Sequence, residues 1–252
     1  MRMRHVAGTG SAIAAMLAST GACSIPEKQL VTGDAPQGLP YACFGQPLPT
    51  TANAKVTISG TVADPFSGNP LANASVEAFL VGSTAPIFMT NTDASGAFTH
   101  DQGTGGVPRD TYLRVSLNGY LDTYYYPAVP VAADLRLNIE ALTSMDLATI
   151  GNVVGITIDP TKANFVVSVV DCNDNPISGA TVSTVPAGTV RYFVNFTPSP
   201  TAVATDASTG AAIVANVPVS NTTINATVDG KTLRSHNLDS VAGALMLTEI
   251  QP

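Results

Sequence analysis

Residues Val62–Val76, VADPFSGNPLANASV, and residues Val169–Val182, VVDCNDNPISGATV, follow one pattern. Each has a Val-rich run, an Asp, a short turn, then Pro, an aliphatic residue and small residues leading into another Val. Asp64 corresponds to Asp171, Pro70 to Pro176, Leu71 to Ile177, Ala74 to Ala180 and Val76 to Val182. Further along, TDASGAF (Thr92–Phe98) matches TDASTGAAI (Thr205–Ile213) with two inserted residues. The matched positions lie 106 to 113 residues apart, the size of a domain, so one unit is expected to occur twice.

Outward from these stretches the pattern is that of strands. Val56, Ile58 and Val62 alternate along the first strand, with Gly60 on the same face, and Phe165, Val167 and Val169 do the same in the second copy. Leu113, Val115 and Leu117 alternate with Arg114 and Ser116, and Ile224, Ala226 and Val228 with Asn225 and Thr227. Period-2 alternation means one buried and one solvated face. The Asp-rich loops before Pro70 and Pro176 read as turns whose side chains bond their own backbone. Composition agrees: of 252 residues, 30 are Thr and 26 Val, punctuated by 21 Gly and 18 Pro. An all-β chain of two sandwiches follows.

The run of Asp64, Pro70, Leu71, Ala74, Val76, Thr92, Asp93, Gly96, Phe98, Tyr112, Leu113, Val115, Gly119 and Tyr120 resembles the carboxypeptidase regulatory-like domain. The resemblance spans residues 55–140, and 163–235 more loosely, because Ile213 stands in place of the Phe and no Gly-Tyr closes the second copy. It implies a transthyretin-like Greek-key sandwich of about seven strands, related to starch-binding-like folds and usually a non-catalytic companion. Fold alone does not assign a function.

Between the copies, Thr143-Ser144-Met145-Asp146 has capping-box form. Leu147, Ile150, Val153 and Val154 make one helical stripe before Gly155, so a short helix is expected over Ser144–Val154, packed as a spacer.

The amino terminus reads as an address. Arg2 and Arg4 precede the apolar run Ala12–Ala18, then small residues and Cys23, the layout of a bacterial secretory signal over 1–22. Cys23 resembles the acylated first residue of bacterial lipoproteins, with Gly21 and Ala22 fitting and Thr20 standing where Leu is usual. Thr20 and Ala22 equally fit an ordinary cleavage site, which leaves Cys23 unmodified. Parity favours acylation: of three cysteines, lipidating Cys23 leaves Cys43 and Cys172 as an even pair for one disulfide in an oxidising compartment. Residues 24–54, with five Pro and three Gly, read as a tether. The layout is then signal 1–22, tether 23–54, β-sandwich domain 55–141, linker 142–160 and β-sandwich domain 161–252. No later segment approaches the length of a transmembrane helix.

For chemistry the sequence offers little. A net charge of −7 without a basic run argues against nucleic acid. His100 and His236 stand apart from any metal-ligand spacing, no nucleophile elbow occurs, and neither catalytic residue nor cofactor is expected. Asp171-Cys172-Asn173-Asp174-Asn175 opens like a Ca²⁺ loop, but Pro176 and Val182 replace the Gly and Glu such a loop needs, so it reads as a turn. Tyr124 and Tyr126, sharing one side of a strand, are the candidate ligand contacts. Asn73, Asn195, Asn221 and Asn225 head Asn-x-Ser/Thr triplets and read as polar β-edge residues. The expected function is a non-catalytic, lipid-anchored envelope protein presenting two sandwiches for protein contacts or spacing. The alternatives are a polysaccharide-binding module, an accessory of an envelope peptidase system, and a secreted form.

Overall fold

A computed structural model describes Gln29–Leu30 and residues 41–252. The signal segment 1–22 and Cys23 lie outside the described residues. In chain order the elements are β1 (Gln29–Leu30), β2 (Lys55–Ala63), β3 (Ser75–Leu80), β4 (Pro86–Asn91), β5 (Ala97–Gly103), β6 (Thr111–Ser116), β7 (Thr123–Tyr126) and β8 (Leu135–Glu140). Then follow α1 (Ser144–Val153), β9 (Ala163–Val169), β10 (Thr181–Val185), β11 (Thr189–Val194), β12 (Thr197–Ser199), β13 (Ala211–Val217), β14 (Asn221–Val228), β15 (Lys231–Thr232), β16 (His236–Asp239) and β17 (Leu245–Ile250).

The alternating residues go where their period sends them. Along β2, Val56, Ile58, Gly60 and Val62 are buried, and along β14 Ile224, Ala226 and Val228 are. Gly60 is required by a close approach: a Cβ there would sit 2.2 Å from the Leu137 carbonyl oxygen. The repeated motif forms the same knot twice. The buried Thr92 hydroxyl donates to the Leu71 carbonyl (2.6 Å) and accepts from the Ala74 N–H (2.8 Å); the Thr205 hydroxyl donates to Ile177 (2.6 Å) and accepts from Ala180 (2.9 Å).

Strand pairing corresponds between the halves. β2 runs antiparallel to β5 and parallel to β8, as β9 runs antiparallel to β13 and parallel to β17. β3 pairs β6 and β6 pairs β7, as β10 pairs β14 and β14 pairs β16. One strand changes sheets: β4 pairs β3, whereas β11 pairs β13.

The linker 142–160 is not the closest joint between the halves. β17 lies parallel to β9 on one side and to β7 on the other, giving a continuous nine-stranded sheet β12-β11-β13-β9-β17-β7-β6-β3-β4. The four-stranded sheet β1-β8-β2-β5 and the sheet of β10, β14, β15 and β16 complete the structure. Alternate β17 residues serve opposite cores. Leu245 and Leu247 pack with Val56, Ile58, Leu113 and Tyr125, while Met246 and Ile250 pack with Phe165, Val167, Ile224 and Tyr126. The two small sheets therefore cover opposite faces of the large one. α1 has the expected capping box, Thr143 with Asp146, and ends one residue earlier than the stripe suggested, at Val153, with Val154 as its C-cap. Its buried Leu147 and Ile150 join the first core together with Phe193 and Ile213 of the second half.

Candidate functional site

The acidic turns serve the backbone. One oxygen of Asp171 accepts from the N–H groups of Asn173 (2.7 Å) and Asn175 (2.9 Å), and the Asn175 amide reaches both oxygens. Asp64 accepts equivalently from Phe66 (2.8 Å) and Ser67 (3.0 Å). Asp171 is engaged by its own turn, and Asp64 by its turn and by the Tyr120 hydroxyl, which donates to its second oxygen at 3.1 Å. Among the described residues no group of three or more His, Cys, Asp or Glu gathers as a metal site. His100 stacks on Phe88 at 4.0 Å between ring centres. His236 places Nδ1 2.8 Å from the Thr248 hydroxyl and its ring edgewise to Tyr126.

Cys43 and Cys172 form a disulfide, with Cα atoms 5.6 Å apart. It joins the tether to the turn after β9. Around it, Lys231 lies over the rings of Tyr41 and Phe44, and the Arg234 guanidinium donates to the Gln46 carbonyl at 2.7 Å.

Tyr124 and Tyr126 share a face, as a strand requires, and belong to two cross-strand rows on the nine-stranded sheet. In one row Met89 stands opposite Glu77, Glu77 opposite Arg114, Arg114 opposite Tyr124, and Tyr124 opposite Met246. In the other, Phe79 stands opposite Tyr112, and beyond it Tyr126 stands opposite Thr248. The second row stacks: Phe79 and Tyr112 are 5.0 Å apart at 11°, Tyr112 and Tyr126 5.0 Å at 20°. Between the rows, Arg114 Nε donates to Glu77 Oε2 at 2.7 Å and its guanidinium lies over Phe79. Burial opposes the Arg114 charge, but bonds to Glu77 and Tyr124 outweigh it and hold the group above its ordinary pKa. Burial, then the neighbouring phenols and acids, raises Tyr126; burial and Tyr124 raise Tyr112.

This face runs out of the second core onto the part of the sheet formed by β7, β6, β3 and β4. There Tyr112, Arg114 and Tyr124 are half-buried and Met89 is exposed. Tyr126 is different. Only 4% exposed, it sits between Tyr112 and His236 with its hydroxyl donating to the Asp239 carbonyl, so of the two expected contacts only Tyr124 meets solvent. Glu77 and Phe79 are not singled out by the sequence, and Tyr112 enters it only through the family resemblance. Their alternation was visible in SVEAFL and TYLRVS, but the register that aligns them across three strands was not.

Residues 57–142 match the family model of the carboxypeptidase regulatory-like domain. No curated protein matches the chain in sequence. Among solved structures, the Bacillus anthracis TIE protein is similar at 12% identity over 78% of this chain, with a TM-score of 0.29. The match spans 33% of the TIE protein's own length. The shaft pilin SpaA from Lactobacillus rhamnosus GG is similar at 10% identity over 81% of this chain and 98% of the pilin, TM-score 0.25. The 3-chlorocatechol 1,2-dioxygenase from Rhodococcus opacus 1CP is similar at 15% identity over 51% of this chain and 75% of the enzyme, TM-score 0.25. No functional argument follows from likenesses of this size.

Proposed function

We propose that this is a non-catalytic cell-envelope protein in which two β-sandwich modules, held as one body, are tethered to a membrane by an acylated Cys23 and serve protein interaction or structural spacing. The observation that supports it is the Cys43–Cys172 bond. A disulfide of this kind suits an oxidising compartment, and it leaves Cys23 as the odd cysteine of three, at the end of the signal-like segment. The matched regulatory-like domain over residues 57–142 fits a non-catalytic role. Metabolic labelling with palmitate in a lipoprotein-processing host tests the reading. Label is expected on the wild-type chain and lost in Cys23→Ser; an unlabelled wild-type chain released into the medium overturns the anchor and leaves a secreted protein.

A second reading, polysaccharide binding, is favoured by the half-exposed Tyr124 beside the Glu77–Arg114 pair, since an amphipathic ring next to a hydrogen-bonding pair suits a sugar face. Saturable retention on a glycan array, lost in Tyr124→Ala, would support it.

A further inference from the structure

The joint between the halves is a rule that a second copy can obey. β8 and β17 hold the same place: Leu135 lies beside Ile58 as Met246 lies beside Phe165, and Ile139 beside Val62 as Ile250 beside Val169. β7 and β16 also correspond, with Tyr125 opposite Leu113 as His236 is opposite Ile224. Within the chain, β17 joins β7 with Leu245 beside Thr123 and Leu247 beside Tyr125. The same step taken onto a second copy brings its β8 to β16, with Arg136 beside His236 and Asp134 beside the oppositely charged Arg234. Repetition would be head-to-tail, building a ring or a filament according to the rotation at each step.

The amino-terminal residues meet both strands, pairing with β8 through β1 and touching Arg234, beside β16, through Gln46. β1 lies opposite Leu135 and Arg136, the positions equivalent to Met246 and Leu247 at the centre of the internal joint. On the other side, Arg234, two residues before β16, gives its guanidinium to Gln46 and its N–H to the Gln251 carbonyl. The Cys43–Cys172 bond holds residues 41–46 there. Beyond β1, β8 has no further strand on that side among the described residues, and β16 has only β14. We infer that Gln29–Leu30 and residues 41–46 act as a cap that stops β8 of one copy from adding to β16 of the next. Open strand edges pair with other chains unless covered, and an amino-terminal segment is an economical cover.

The test uses the full chain as Cys23→Ser, measured by sedimentation velocity. The capped protein is expected to stay at the mass of one chain. Adding Leu30→Pro, which removes the β1 N–H and disfavours its pairing, together with Cys43→Ser and Cys172→Ser, should give a mass that rises several-fold with concentration. In that uncapped background, Arg136→Cys with His236→Cys should form a ladder of disulfide-linked multimers under mild oxidation, and neither substitution alone should. Circular dichroism monitors the fold, and sucrose, which favours compact states, is added if the uncapped chain unfolds. A folded uncapped chain that stays monomeric overturns the inference, as does a dimer formed by Arg136→Cys alone, which would mean β8 pairing with β8.

Discussion

The smallest decisive unit is the hydroxyl of Thr205. It is buried, and it satisfies a carbonyl and an N–H that the turn from Ile177 to Ala180 leaves without a strand partner. Thr205→Val keeps the shape and strands both groups, at a cost of about 1–3 kcal/mol. The urea midpoint should fall with an unchanged m-value, and Thr92→Val should behave alike because Thr92 makes the same pair of bonds. Tyr125 gives a second handle. Its phenol is fully buried, and burial together with the Glu249 carboxylate raises its pKa well above the ordinary value of 10.0. Tyr112 and Tyr126 are raised as well. An unfolded chain would lose these protons near pH 10 while the folded one holds them, so their contribution is complete below pH 10 and is lost as pH climbs above it. Unfolding free energy measured from pH 8 to 11 should drop at the alkaline end, and less steeply in Tyr125→Phe; an equal slope would mean the phenol is not the source.

At the scale of elements, α1 shows how much a short signal can carry. Thr143 caps the Asp146 N–H and Asp146 returns bonds to the Thr143 backbone and hydroxyl. Thr143→Ala should cost about 1 kcal/mol, read as a lower thermal midpoint with the disulfide intact. β9, expected to keep one solvated face, has six of its seven residues buried, but α1, the alternating strands β2, β6 and β14, and the twin Asp turns were legible because each is local: a period, a cap or a turn residue. β17 was not. All six of its residues are buried, since it lies mid-sheet with a core on each side, and the alternation that marks a half-solvated strand is absent from LMLTEI. Tyr126 was misplaced for a related reason. Period-2 reasoning gave its face correctly but could not see that β16 would lie over it. The change of partner between β4 and β11 likewise depends on long-range pairing rather than on either strand's own residues.

At the scale of the molecule, the segment around Cys43 is held against the second half. The Cys43–Cys172 bond closes a loop of 129 residues, and loops of that length gain most from closure in the chain-entropy account. Cys43→Ser with Cys172→Ser should lose about 2–5 kcal/mol, seen as an earlier midpoint in denaturant. Alkylation of the native protein under denaturing, non-reducing conditions should find neither cysteine free; labelling of both would remove the bond from the account.

The position of β17 bears on the order of manufacture. The segment that completes the middle of the largest sheet is synthesised after every other described strand, so β7 must wait, its flank bare, until β17 emerges. A chain cut short before Leu245 would lack the strand that joins β7 to β9 and leave both with a bare edge, while α1 would still pack against Phe193 and Ile213.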